Sequence, residues 1–250
     1  MFFNLFGAGK DKYIEEYASR MAEAAVKDEL DADRLESFIA YAKEKGLGNK
    51  QLARAQALAC DKAFEKLYHE GYMNDDEYGM FTDMLKLCYM MKEDGKHKYE
   101  TIAKRCNALY KIQEEGLMPK VNREYANVKY RDGEELHFTA AARFMKAKKP
   151  LGDRGTIIAK GKPFKVGSCE NREDKSLFEE GDKGAFWITS QRVGFRSKTD
   201  RITAELSDID HVELGKGPLC FYEKGKDTPW CVMVDDYEMA GALLSNILNR

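Results

Sequence analysis

The stretch Gly184-Ala-Phe-Trp-Ile-Thr-Ser-Gln-Arg-Val-Gly-Phe195 carries most of the information about the fold. Both of its ends are apolar or aromatic, and the polar Thr-Ser-Gln-Arg between them is typical of a hairpin turn. The pattern predicts two antiparallel strands, Ala185–Thr189 and Arg192–Arg196.

Similar short segments, rich in β-branched and aromatic residues, lie on both sides of this hairpin. The further predicted strands are Leu136–Phe144, Thr156–Ala159, Phe164–Cys169, Ile202–Leu206, His211–Leu214, Leu219–Tyr222 and Trp230–Val234. Asp236 then caps a single amphipathic helix at the end of the chain. This order predicts a curved antiparallel sheet whose open end is plugged by the terminal helix.

The first half of the chain has a different periodicity. Apolar residues recur at three- and four-residue steps over 11–116, which predicts a bundle of five helices joined by short polar connections. Asp33 with Glu36, and Asn74 with Glu77, resemble capping boxes, and Gly46 suits the left-handed position after a helix. The sequence therefore predicts an α+β protein of two domains. We expect a helical bundle at 1–118, a linker at 119–133 and a β-rich domain at 134–250.

The hairpin stretch resembles the bacterial pleckstrin-homology-like and GRAM-like domains. Those families share a glycine, an apolar strand, Thr-Asn-x-Arg at a hairpin and an apolar-x-Phe strand, and the resemblance covers about residues 130–250. The matching fold-motif residues are Gly184, Trp187, Thr189, Arg192 and Phe195, and Ser190 replaces the usual Asn. The resemblance implies an antiparallel β-barrel or sandwich capped by the C-terminal helix. It implies a binding scaffold and leaves the ligand undefined.

The helical half resembles the tellurite-resistance-type (TerB-like) helical domains, in which an acidic turn precedes a helix twice over. The two turns here are Asp28–Asp33 and Glu70–Glu77, at an offset of 43 residues. The resemblance implies a divalent metal site, for which Asp28, Asp31 and Asp75 are the candidate ligands. The alternative is that these acidic residues cap helices and interact with the positive end of the helix dipole.

Positive charge is concentrated in one segment of the β-rich half. Between positions 143 and 165, eight basic residues accompany one acidic residue, Asp153. The basic residues are Arg143, Lys146, Lys148, Lys149, Arg154, Lys160, Lys162 and Lys165. Such a segment can bind a phosphorylated headgroup or an anionic membrane surface. It can also be a solvated edge on which lysines prevent pairing between sheets.

Composition narrows the function classes. The chain has 41 basic and 43 acidic residues and a formal net charge of −2, which argues against nucleic acid as a partner. Its six cysteines form no Cys-x-x-Cys pair, as expected of free thiols in the cytoplasm. No acid–base or nucleophile arrangement is fixed by spacing, so we expect no catalysis and no cofactor.

Two functional hypotheses follow from these patterns. The first is a non-enzymatic binding or adaptor protein that contacts an anionic ligand, the inner face of the membrane or a protein partner. The second is a stress-response metal sensor that uses the acidic turns. Assembly of identical chains stays open.

Overall fold

The computed structural model describes residues 8–69, 71–125, 128–147, 156–168, 178–215 and 218–250. The chain divides into two compact units, Met1–Tyr110 and Lys111–Arg250. The predicted linker at 119–133 stays a prediction. The two units are described separately below.

The first unit is helical, as the periodicity predicted. Its helices are α1 (Ala8–Val26), α2 (Ala32–Glu44), α3 (Asn49–Leu67), α4 (Asp75–Leu87) and α5 (Glu93–Gln113), of which α5 continues into the second unit. Their apolar stripes meet in one core that contains Tyr17, Met21, Phe38 and Phe81. Helix α1 packs chiefly against α3.

Two of the predicted helix ends are confirmed and one is wrong. Asn74 and Glu77 form a capping box, because each side chain accepts a hydrogen bond from the other residue's amide, at 2.8 and 2.7 Å. Gly46 follows α2 with a φ of 64°, a left-handed conformation that glycine adopts without steric cost. Asp33 does not open α2, because the helix begins one residue earlier. Asp31 is the cap and accepts from the Arg34 amide at 2.8 Å.

The second unit is dominated by eight antiparallel strands. They are β1 (Leu136–Ala147), β2 (Thr156–Ala159), β3 (Phe178–Thr189), β4 (Arg192–Arg196), β5 (Arg201–Glu205), β6 (Ile209–Leu214), β7 (Pro218–Glu223) and β8 (Trp230–Val234). One helix follows, α6 (Tyr237–Leu248), with Asp236 as its cap. The chain is therefore α+β, with a C-terminal helix after the sheet, as predicted.

The sheet is open, so the expectation of a closed barrel is wrong. Its strand order is β2-β6-β7-β8-β1-β3-β4-β5. Closure would require the two edge strands, β2 and β5, to pair with each other, and no such pairing occurs among the described residues. Both edges are short, at 4 and 5 residues, and each pairs with one strand only.

Aromatic side chains and α6 fill one face of the sheet. Phe186 packs between Phe138 and Phe221 at ring-centroid distances of 6.1 and 5.8 Å. Helix α6 approaches the sheet closely at Gly241, where an added methyl group would overlap Leu214. The predicted strand Phe164–Cys169 is wrong over its described part, 164–168, which has no strand. Phe164 is buried there, and its amide donates to the Ser245 hydroxyl on α6 at 2.9 Å.

Candidate functional site

The polar residues of the hairpin motif form a closed hydrogen-bond network. Arg192 donates from Nε and Nη2 to the two carboxylate oxygens of Glu134, at 2.9 and 2.8 Å. Thr189 donates to the same carboxylate at 2.7 Å, and its hydroxyl oxygen accepts from the Arg192 amide at 2.9 Å. The Arg131 amide supplies a further donor, at 2.8 Å. The motif thus ties the β3–β4 hairpin to the chain just before β1.

Glu134 is a fully buried carboxylate, with 0% of its surface exposed. Burial raises the pKa of Glu134, but hydrogen bonds from Arg192, Thr189 and the Arg131 amide more than reverse this effect, and the pKa falls to about 2. The carboxylate therefore stays ionised at neutral pH, and the charge of Arg192 compensates it. These residues support the fold and offer no free acid or base for catalysis.

Two glycines of the motif allow neighbouring parts of the sheet to approach each other closely. A methyl group at Gly184 would overlap the Arg196 carbonyl oxygen, and one at Gly194 would overlap the Trp187 ring. Trp187 and Leu136 form a small buried cluster, packed by Val121, Val128 and Tyr130. The guanidinium of Arg192 lies 5.5 Å from the Trp187 ring centroid.

A groove of about 290 Å³ lies beside this network in the second unit. It is lined by Val128, Lys129, Trp187, Arg192, Phe195, Arg196, Arg201 and Thr203. All four charged residues of this lining are basic, and we call it the cationic groove. The Lys129 carbonyl accepts a hydrogen bond from Arg192 at 2.9 Å, which holds one wall of the groove in place.

The register of β4 and β5 explains how the cations converge. Val193 and Phe195 are buried on the core face, so Arg192 and Arg196, at alternate positions, lie on the other face. Arg196 is directly opposite Arg201 across the β4–β5 ladder. Like charges directly opposite each other destabilise a sheet. An anion bound between them would relieve this repulsion.

The charges in the groove are compensated unequally. The carboxylate of Glu134 pairs with Arg192. In contrast, no ion pair of Lys129 or Arg201 is found within the part of the chain that the structure describes, and both residues are exposed. The groove therefore carries an excess of positive charge at its open side.

The described residues of the predicted basic segment lie at two separate places in the sheet. Arg143 lies on β1 and pairs with Glu180, and Lys146 on β1 is opposite Glu179. Lys160, Lys162 and Lys165 are exposed and follow β2, which three strands separate from β1. Lys148, Lys149 and Arg154 lie outside the described residues. An anion-binding role for this segment stays a prediction.

The candidate metal ligands of the acidic turns have local roles. Asp31 caps α2, and Asp75 accepts from the Asn107 side chain at 2.7 Å. Asp28 follows α1 with a φ of 55°. Among the described residues, no three His, Cys, Asp or Glu side chains come together as metal ligands. The metal-sensor hypothesis therefore gains no support from their geometry.

A larger cavity of about 580 Å³ lies in the first unit and has mixed charge. Its charged lining residues are Lys86, Glu93, Asp94, Lys96 and Glu100, together with His97. Lys96 pairs with Glu93 at 3.4 Å within this set. The lining favours neither anions nor cations, which distinguishes it from the cationic groove.

The described cysteines are buried free thiols. A hydrogen bond with Cys88 is the larger cause that raises the pKa of the Cys60 thiol, and burial raises this pKa further. Burial also raises the pKa of the Cys220 thiol. Both stay protonated at neutral pH, and a protonated thiol is a poor nucleophile. They are not candidates for covalent catalysis.

The sequence prediction named Trp187, Arg192 and Phe195 for the fold and missed Lys129, Arg196 and Arg201. One signal was present in the sequence: Arg192 and Arg196 alternate with two apolar residues, which places both arginines on one face of a strand. The contribution of Lys129 depends on how the chain before β1 packs against the sheet. No local pattern indicates that packing.

A scan against protein-family models found no match to the chain, and a search of curated proteins found no significant similarity. The family resemblances therefore rest on the sequence motifs quoted above. Within the described residues, no helix is both long and apolar enough to cross a membrane.

Proposed function

We propose that the second unit is a non-enzymatic binding module of the pleckstrin-homology-like class, which holds a phosphate-bearing ligand in the cationic groove. The single observation that carries this proposal is the set of four basic residues that line the groove, with no carboxylate among its described lining residues. The described part of the lining also contains no base that could activate the Thr203 hydroxyl, which favours binding over catalysis.

The chemistry of the lining suits phosphate. Arginine presents a planar fork of donors that matches the oxygens of phosphate, and two basic residues of the lining outside the Glu134–Arg192 pair, Arg196 and Arg201, are arginines. Arg192 is fixed by Glu134 and by the Lys129 carbonyl, so little side-chain entropy is lost when a ligand binds beside it. Arg196 and Arg201 lie on rigid paired strands.

The size of the groove limits the ligand. A volume of about 290 Å³ lies at the lower end of small-molecule sites. It suits one headgroup or sugar phosphate. The meander of strands and the terminal helix support a pleckstrin-homology-like assignment, since the sequence resemblance implies both.

A calorimetric titration of the full chain with inositol trisphosphate, a soluble phosphorylated headgroup, tests the site. We expect Arg201→Gln and Lys129→Gln each to weaken binding about fivefold, since one basic residue contributes about 1 kcal/mol toward an anionic surface. Lys146→Gln and Lys165→Gln are matched controls, because both remove an exposed lysine outside the groove. Arg192 is not a suitable test position, since it also stabilises the hairpin.

The opposite ranking would overturn the assignment. If the two control variants weaken binding and the two groove variants do not, the ligand binds along the 143–165 segment. Vesicles of phosphatidylcholine, with and without phosphatidylserine, distinguish the two sources of phosphate. Binding of the soluble probe without sedimentation on either vesicle indicates a free phosphorylated metabolite. Sedimentation on the anionic vesicle alone indicates a lipid headgroup.

A further inference from the structure

Three sulfur atoms meet in the core of the first unit. The Cys60 sulfur lies 3.7 Å from the Cys88 sulfur and 3.7 Å from the Met91 sulfur. Cys60 and Cys88 have no exposed surface, and Met91 is 8% exposed. We call these three residues the sulfur cluster. It is separate from the acidic turns and from the cationic groove, and the function proposed above does not use it.

Two structural elements hold the sulfur cluster in place. Cys60 lies within α3, and Cys88 and Met91 lie in the short connection between α4 and α5. The Met91 amide donates to the Cys88 carbonyl at 3.2 Å, so the two residues are part of one tight turn. Gln56, which is also buried on α3, accepts from the Met90 amide at 2.9 Å and anchors that turn to the helix. These hydrogen bonds hold the backbone of the turn that carries Cys88 and Met91 against the helix that carries Cys60.

The spacing of the sulfurs suits a bound soft metal ion. A metal–sulfur bond is about 2.3 Å long, which places sulfur ligands about 3.8 Å apart in tetrahedral geometry and about 4.0 Å apart in trigonal geometry. The Cys88 and Met91 sulfurs each lie 3.7 Å from the Cys60 sulfur, within a few tenths of an ångström of these ligand spacings. A disulfide between Cys60 and Cys88 would need a much larger movement, to about 2.05 Å, and would not involve Met91.

The ligand types select among metal ions. Hard cations such as Ca²⁺ and Mg²⁺ take oxygen ligands, and zinc sites in proteins use Cys, His, Asp or Glu. A set of two thiols and one thioether is soft throughout and favours Cu(I). We propose that the sulfur cluster is a Cu(I) site, with Cys60, Cys88 and Met91 as the three ligands.

Copper binding exchanges thiol protons for the metal ion and involves no change of oxidation state. Cu(I) displaces one proton from each thiol to solvent, and the thioether binds without losing a proton. The complex of one Cu⁺ with two thiolates carries a net charge of −1. Metal uptake should therefore release two protons per chain at neutral pH.

Competition for Cu(I) between the full chain and the chromophoric chelator bicinchoninate, without oxygen and with ascorbate present, tests the site. We expect one Cu(I) per chain to be held against the chelator. Met91→Leu preserves volume and removes only the thioether, so it should weaken Cu(I) binding at least tenfold with an unchanged melting curve. Cys60→Ala and Cys88→Ala should abolish it.

Two controls cover the other described thiols, which are Cys106, Cys220 and Cys231. Cys106→Ala removes a buried thiol of the same core, and Cys220→Ala disrupts the cross-strand Cys220–Cys231 pair of the second unit. Both variants should keep full affinity. Loss of uptake in Cys220→Ala would place the copper in the second unit. Full affinity in Met91→Leu would exclude the thioether, and failure to compete with the chelator would exclude the site. Each of these results overturns the proposal.

Discussion

Replacement of Arg192 by leucine tests how the hairpin motif stabilises the fold. Glu134 is fully buried and accepts four hydrogen bonds, two of them from the Arg192 guanidinium. The leucine variant loses both of those donors and leaves an uncompensated charge in the core. Such a change costs about 3–5 kcal/mol when one partner of a buried pair is removed.

The pKa of Glu134 gives the expected loss of unfolding free energy in a second way. A value of about 2, against an ordinary 4.5, corresponds to about 3 kcal/mol of preferential stabilisation of the carboxylate. Arg192 supplies the largest share of that effect. We therefore expect Arg192→Leu to lower the unfolding free energy of the second unit by about 3 kcal/mol.

Urea unfolding followed by tryptophan fluorescence measures this directly, because both tryptophans of the chain, Trp187 and Trp230, lie in the second unit. Arg131→Leu is a matched control. It breaks a pair with Glu205 that also has two hydrogen bonds, at 2.7 and 2.6 Å, but is partly exposed. Exposed pairs contribute about 0–1 kcal/mol. A loss below about 1 kcal/mol for Arg192→Leu would refute this interpretation of the network.

The same network predicts a pH dependence. Because the folded-state pKa of Glu134 is lowered from 4.5 to about 2, its contribution is complete above pH 4.5 and decreases as the pH falls toward 2. The stability difference between the wild-type chain and Arg192→Leu should therefore shrink between pH 5 and pH 3. A difference that stays constant or grows over this range would contradict the assignment of the buried charge.

Three further substitutions test local features. Gly184→Ala should destabilise the second unit by about 1–3 kcal/mol in the urea assay. The new methyl group overlaps the Arg196 carbonyl and must separate β3 from β4. Unchanged stability would show that the strands are not in such close contact. Gly79→Ala in α4 should stabilise the first unit by about 0.5–1 kcal/mol, measured as the loss of helical circular dichroism on heating. An added methyl group at this position meets nothing within 4 Å. A loss of stability would show that the methyl group is not accommodated there. Asn74→Ala should lower the unfolding free energy of the first unit by about 1 kcal/mol in the same measurement, because it removes the oxygen that accepts from the Glu77 amide. A neutral result would exclude the capping box as a stabilising feature.

The sequence predicted the secondary structure best where alternation and strand pairing coincide. Thr156–Ala159, Arg192–Arg196 and Trp230–Val234 have the predicted bounds, and each pairs with a neighbour. The segment at Phe164 alternates in the same way, with Phe164 and Val166 buried and Lys165 exposed. Phe164 is buried there because it packs against α6. An alternating sequence pattern alone does not distinguish this arrangement from a strand.

The candidate site was less predictable, because it depends on contacts between distant parts of the chain. Arg196 and Arg201 become neighbours only in the β4–β5 register, and Lys129 joins them from the segment before β1. The basic segment at 143–165 is more prominent in the sequence, yet its described residues are divided between β1 and the stretch that follows β2, and three strands separate β1 from β2. Charge density along the chain is therefore a poor guide to charge density on a sheet.

Hydrogen–deuterium exchange of the full chain, with and without inositol trisphosphate, tests the central claim most directly. The cationic groove predicts slower exchange in peptides that span 192–203 and 128–131 when the probe is bound. Peptides that span 143–165 should exchange at an unchanged rate. Protection confined to 143–165, or no protection at 192–203 at saturating probe, would contradict the assignment of the anion site to the groove.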